Sequence, residues 1–254
     1  MLGVGKSPHP AQPVSGFEHW LCFEVTAAGG GGRPFADGID AYFFNNRLKN
    51  ALVEFVETVY PVRIEQYSLR PGSAGAGKYR GGYGLIHAVR TLRAAKLYFL
   101  DERQRTQPWG LYGGRPAAAN DAYVERADGT VVMMPSKLDR FPLDSGDMFV
   151  MRTGGGWGDP YERDPEAVRR AVVCALLTEA QARELYGVVL SGSPARVDVA
   201  ATSVLRAKAS RRSGWIDRGE TQATPPPGAS RPGTLWVVDP PVPWLVIGGC
   251  GRTN

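Results

Sequence analysis

With 254 residues, 43% of them hydrophobic and 22% charged, the chain can bury one or two domain cores and has the composition of a soluble globular protein. A net charge of +5 invites a nucleic-acid reading, but from Ser191 onward eight Lys/Arg stand against four Asp/Glu, so the excess sits in the last quarter and a basic groove is excluded. Three widely spaced cysteines, Cys22, Cys174 and Cys250, speak against a disulfide framework or zinc knuckle and suit a reducing cytoplasm.

In chain order, residues 1–16 read as a flexible lead-in without the apolar core of a signal peptide. Aromatic and β-favouring residues predict a strand over Phe17–Thr26, followed by a glycine loop at 29–32 and by Asp37-Gly38-Ile39-Asp40. Leu48, Leu52, Phe55, Val56 and Val59 recur at helical spacing, which predicts a helix capped by Asn45 or Asn46 and stopped by Pro61. Alternation predicts a strand over Val62–Leu69, and after the turn-rich stretch 70–84 further strands fall at 85–92 and 96–100. A loop at 108–116 precedes strands at 122–126 and 130–134, joined by the hairpin signal Asp128-Gly129.

Residues 146–166 read GDMFVMRTGGGWGDPYERDPE. An apolar strand at 148–152 feeds four glycines and Trp157 within six residues, where close backbone packing is expected. Asp164 caps a helix with Pro165 at its first position, and an apolar stripe runs through Val168, Ala171, Val172, Ala175 and Leu176. Thr178 with Gln181 forms a capping-box pattern for a second helix that Gly187 closes, and Asp198 opens a third running to about Ala209. From residue 220 periodicity stops, and 220–254 reads as a disordered tail; the apolar residues of 235–247 are broken by prolines and are too few to span a bilayer. The fold class expected is α+β, a β-rich domain of short strands and glycine-rich loops followed by C-terminal helices.

Few residue patterns carry chemistry. Gly72–Lys78 fits the spacing of a phosphate-binding loop, but Tyr79 replaces the magnesium-holding hydroxyl and Arg80-Gly81-Gly82 denies the helix, so a turn is expected. His9, His19 and His87 lie at no ligand spacing, and His87 reads as a packed strand residue. Asp37 and Asp40 could serve as oxygen ligands or a general base, or simply as turn residues. Cys22 and Cys174 read as inert core thiols, and no nucleophile triad can be drawn from sequence. Arg33, Asn45, Asn46 and Arg47 are polar groups beside glycine-rich or helix-start backbone, suited to small polar substrates or to capping and solvation.

Taken together, GGGGRPFADGIDA at 29–41, YPVRIEQYSLRPGSAGAGKYRGGYG at 60–84, PWGLYGGRP at 108–116 and GDMFVMRTGGGWGDPYERDPEAV at 146–168 resemble the hydantoinase B/5-oxoprolinase family. The helical stretches LLTEAQARELYGVVL and VDVAATSVLRA extend the resemblance, which runs from about Phe17 to about Ala209 within the region 17–219. It implies ATP-driven opening of a cyclic amide or imide: ATP is held by a partner A-type subunit, which activates the carbonyl by phosphorylation, and the B-type subunit completes ring hydrolysis. Making the amide oxygen a leaving group lowers the barrier of a poor electrophile.

Family B subunits are much longer, and this chain resembles their C-terminal part. No cofactor is therefore expected on this chain itself: ATP belongs to the partner, and a divalent metal to the N-terminal half. Where many relatives carry histidines and a Met-Thr-Asn-Thr run, this chain has Ala41-Tyr42-Phe43-Phe44-Asn45-Asn46-Arg47. On this reading Asp37 and Asp40 are the expected catalytic groups, and Arg33, Asn46, Arg47, Gly154, Gly155 and Gly156 the expected substrate surface. The expected partners are an A-type ATPase subunit, the N-terminal half of the B-type subunit and a small cyclic amide, in the cytoplasm. Two alternatives stand beside it: a non-catalytic assembly module, and a carboxylase subunit of the acetone carboxylase type.

Overall fold

A computed structural model of the chain describes residues 2–6, 19–43, 50–152, 157–208 and 216–217. The tail expected from residue 220 lies outside the described residues. The first half forms β1 (Leu2–Lys6), β2 (His19–Phe23), α1 (Val53–Val59), β3 (Val62–Leu69), β4 (Leu85–Thr91) and β5 (Ala95–Leu100). Next come β6 (Gly110–Leu111), β7 (Asp121–Glu125), β8 (Val131–Met133), β9 (Lys137–Leu143) and β10 (Met148–Arg152). A 3-10 turn at Pro160–Glu162 leads to α2 (Pro165–Val173), α3 (Glu179–Tyr186), the small pair β11 (Leu190–Ser191) and β12 (Arg196–Val197), α4 (Val199–Lys208), and β13 (Ile216–Asp217) against β6. The fold is α+β.

Two antiparallel sheets, ordered β2-β1-β5-β9 and β3-β4-β10-β7-β8, make the core. Ala95, Leu97 and Phe99 of β5 and Leu143 of β9 meet Ala122 and Val124 of β7 and Phe149 and Met151 of β10, so apolar side chains fill the space between the sheets. Phe99 and Phe149 pack edge to face at 5.1 Å, a favoured aromatic geometry. Val56 of α1, Val62 of β3 and Val89 of β4 form a smaller cluster with Trp20 of β2, which joins the edge strands β2 and β3.

β3 spans the residues its alternation predicts. β1 and β9 carry no strand expectation: β1 lies within the expected lead-in, and Pro142 interrupts β9. Position explains the second, because β9 ends its sheet and a proline there costs no ladder bond on its outer side. α1 is shorter than expected, starting at Val53 after Leu52, which offers no side-chain cap; Asn45 and Asn46 lie outside the described residues.

The helical end follows local chemistry closely. Asp164 accepts from the Glu166 amide, Thr178 and Gln181 exchange both capping-box bonds, and Gly187 ends α3 at φ 61°. The stripe of α2 is a correction: the helix stops at Val173, Ala175 turns to φ 56°, and Cys174 is exposed and not a core thiol. Val168, Leu177, Ala182, Tyr186 and Val188 pack together over Ala76, so the helices rest on the 70–84 loop.

Buried polar groups pin the turns. Asp147, 2% exposed, accepts from the amides of Asp144 at 2.8 Å and Ala127 at 3.2 Å and from the Arg126 guanidinium, tying the β9–β10 turn to the β7–β8 hairpin. Asp147→Ala leaves two amides and an arginine without their acceptor, and is expected to lower unfolding free energy by about 2–4 kcal/mol in urea denaturation.

Candidate functional site

The four stretches that carry the family resemblance meet in one place. Loop 28–42 zips onto loop 72–84 through Gly82 N to Gly30 O at 2.8 Å, Gly38 N to Arg80 O at 2.8 Å and Ala41 N to Tyr83 O at 2.9 Å. Tyr79 and Trp157 exchange backbone bonds at 3.3 Å, Gly158 donates to Leu111, and Arg115 donates to Ala76. Here peptide groups of different loops touch directly. A Cβ on Gly29 would fall on the Gly82 carbonyl oxygen, one on Gly82 on that of Ile39, and one on Gly77 on that of Trp157. These glycines supply the space that the contacts need.

Two arginine–aspartate pairs lock this zipper. Asp37 receives both Arg163 terminal nitrogens at 2.7 Å, and its Oδ1 also accepts from the Arg80 amide at 3.0 Å. Asp40 takes the Arg80 guanidinium at 2.7 and 3.1 Å and the Tyr83 amide at 2.8 Å, while that guanidinium stands 4.4 Å from the centre of the Tyr83 ring. Behind them, Arg163 donates to the Lys78 carbonyl, and Arg206 of α4 holds the carbonyls of Arg163 and Tyr186. Burial pushes the Asp37 carboxyl up, but the hydrogen bonds and charges of Arg163 and Arg80 outweigh it and hold the carboxyl below its ordinary value. Such a carboxylate is a strong acceptor of fixed donors and a weak base.

Arg33 is drawn in by its guanidinium donating to the Asp37 carbonyl at 3.0 Å. The structure thus brings Arg33, Asp37 and Asp40 together. Asn46, Arg47, Gly154, Gly155 and Gly156 lie outside the described residues. Lys78 pairs with Glu162 at 3.3 Å and Gly77 packs on Trp157, so the loop with phosphate-binding spacing is a turn in the zipper.

A second polar group lies where β2 and β3 end the two sheets. His87 of β4 is 6% exposed; its Nδ1 lies 3.2 Å from the Thr26 hydroxyl, its Nε2 3.4 Å from Glu24 Oε2, and its ring packs edge-on against Tyr67 at 4.8 Å. Asn50 donates to the Tyr67 hydroxyl. Burial holds His87 down at about 4, raises Glu24, and, with the charge of Glu24, pushes the Cys22 thiol up to about 12. Sequence reasoning places His87 in a packed strand and misses its neighbours, since Thr26 lies 61 residues away in the segment after β2, a strand of the other sheet. Among the described residues no group of three His, Cys, Asp or Glu is placed to hold a metal ion, and no helix is long and apolar enough to cross a membrane.

Comparison with known proteins matches residues 4–160 to the family described as hydantoinase B/oxoprolinase. The match begins ahead of Phe17 and ends before α2. A protein named as the B component of a D-/L-hydantoinase, from Pseudomonas sp. strain NS671, is 31% identical over 194 residues, covering 74% of this chain and 32% of the relative. The acetone carboxylase alpha subunit of Xanthobacter autotrophicus is 29% identical over 73% of this chain and 29% of its own length. Among solved structures, the ATP-dependent caprolactamase of Pseudomonas jessenii superposes with a TM-score of 0.64 and 26% identity, covering 81% of this chain and 36% of that one. The chain spans about a third of the length of these relatives.

Two outcomes follow from the geometry. Arg163→Met takes both guanidinium bonds from Asp37 and leaves it the Arg80 amide and the more distant Arg80 guanidinium, and because the carboxylate keeps 35% exposure the expected loss is about 2–3 kcal/mol, below that of a fully buried pair, read from the urea midpoint. His87 titrates at about 4 when folded against 6.5 ordinarily, so between those values the unfolded chain binds a proton the native state refuses, and stability falls as pH drops from 6.5 towards 4. Glu24, raised by burial, acts in the opposite sense, so the measure is a difference: His87→Gln should lose stability less steeply than the parent across that window.

Proposed function

The chain belongs to the hydantoinase B/oxoprolinase family, and on that premise we propose that it is the C-terminal part of a B-type subunit that opens a cyclic amide or imide ring after a partner ATPase subunit has activated the carbonyl. The observation that carries this is the family match over residues 4–160, supported by the likeness to the caprolactamase over 81% of the chain. The chain works in the cytoplasm with an A-type ATPase subunit and the N-terminal part of the B-type subunit. Asp37 and Asp40 hold the zipper in shape through Arg163 and Arg80, with Arg33 at its rim, and do not transfer protons; their engaged oxygens support this part.

A second reading, an assembly module without catalysis of its own, draws on exposed apolar side chains. Leu21, Phe23 and Val25 lie bare along and beyond edge strand β2, as do Leu52, Val53 and Phe55 at α1. Surface of that kind is usually covered by another polypeptide.

Both readings meet in one reconstitution. The chain is produced with the N-terminal two-thirds of a related B-type subunit and an A-type subunit, and offered hydantoin, 5-oxoproline or caprolactam with ATP. Ring-opened acid and ADP should form together only when all components are present. A complex that assembles without turnover favours the module, and bicarbonate-dependent carboxylation of a ketone assigns the chain to the carboxylase branch.

A further inference from the structure

We propose that β2 is a docking strand, whose open edge takes an extended segment from the part of a B-type subunit that this chain does not span. The assignment rests on the reading of the chain given above and names where the rest of that subunit joins it.

A strand that ends a sheet presents unpaired amides and carbonyls, and proteins that must not pair there guard the edge with charge, proline, a bulge or shortness. Among the described residues the two large sheets end in four strands, β2, β9, β3 and β8, and three of them are guarded. β9 contains Pro142 and exposes Lys137, Asp139 and Arg140. β3 shifts register between Ile64 and Gln66 and exposes Arg63 and Glu65. β8 is only three residues long. β2 has none of these devices: it holds no proline, lysine or acid and pairs with β1 without a shift. The acid that follows, Glu24, is half-buried beside His87.

The side chains fit the same role. Leu21 and Phe23 are each more than half exposed while Cys22 between them is buried, so one face of β2 lies on the core and the other carries apolar groups into the open. Across β1, Phe23 stands in row with Tyr98 of β5 and Leu21 with Lys96, and Leu100 lies bare further along β5. A strand added at β2 gains ladder hydrogen bonds from the edge and apolar contact beside Leu21 and Phe23, the two sources of affinity and specificity in strand addition. The incoming segment should therefore carry apolar residues at alternate positions, as the period of a strand requires.

Length identifies the occupant. The chain spans about a third of the relatives it matches, so in them this sheet belongs to a subunit most of whose polypeptide lies outside the matched region. A second copy of the chain, bringing its own β2 to the same edge, is the competing outcome.

The test co-produces the full chain with the N-terminal two-thirds of a related B-type subunit. Affinity capture of that partner should carry the chain with it, and hydrogen exchange of the β2 amides should be slower in the complex than in the chain alone. Phe23→Lys sets a charge at an exposed position and should leave the urea midpoint of the chain unchanged, yet lower the captured chain at least about tenfold. Val199→Lys, at a bare position of α4, should leave capture unchanged. Failure of the unaltered chain to come through with the partner, equal capture of Phe23→Lys, or exchange slowed only outside β2 overturns the docking strand. A dimer of the chain alone that Phe23→Lys dissolves assigns the edge to a second copy and overturns the occupant. With an A-type subunit, ATP and hydantoin added, a complex docked through β2 that opens no ring overturns the ring-opening reading and leaves the docking strand. Ring opening with Phe23→Lys captured as well as the parent does the reverse.

Discussion

Where several loops meet with no side chain between them, every peptide group must find its partner on another loop. That constraint organises this protein. Gly30, Gly38 and Gly82 interlock at backbone distance, and Gly77 lies against the carbonyl of Trp157. A side chain at any of these contacts would separate the amides from their acceptors, and a buried peptide group without a partner is costly. The glycine runs are thus a condition of shape, and the elements around them, the sandwich on one side and the helices on the other, are fixed by where the zipper closes.

Charge completes what the backbone begins. Hydrogen bonds between loops align them but resist sliding only weakly, whereas a two-pronged arginine–carboxylate contact fixes direction as well as distance. Arg163 reaches from the turn before α2 to Asp37, and Arg80 from the neighbouring loop to Asp40. Arg206 then ties α4 to the same turn. The polar zipper and the apolar sandwich therefore divide the labour: burial between the sheets drives compaction, and the ion pairs select one arrangement of the loops on top of it.

Much of the framework was legible in the chain itself because its signals are local. Alternation marks β3, Asp128-Gly129 marks a hairpin, and Asp164, Thr178, Gln181 and Gly187 mark helix ends, each through contacts within a few residues. β1 was not legible: Leu2 and Val4 alternate with glycines, which are depleted in strands, and the strand exists because β2 and β5 flank it. β9 was hidden by Pro142, which only an edge position tolerates. For the site the residue types could be read but not their partners. Asp37 and Asp40 stand out as acids after a glycine loop, yet nothing local reveals that arginines occupy their oxygens. His87 reads as core until the packing of the segment after β2 sets Thr26 and Glu24 beside it.

The long reach of the Arg163–Asp37 pair also bears on how the protein is made. Its partners are 126 residues apart, and at the usual pace of translation, about 5–20 residues per second, roughly 6–25 s pass between their appearance. Through that interval the first glycine loop exists without the contact that fixes it, while β3, β4 and the β7–β8 hairpin can already pair. β10, which joins those pairs into one sheet, and Arg163 arrive together at the end of the interval, so the sheet closes and the loops are pinned at nearly the same point of synthesis.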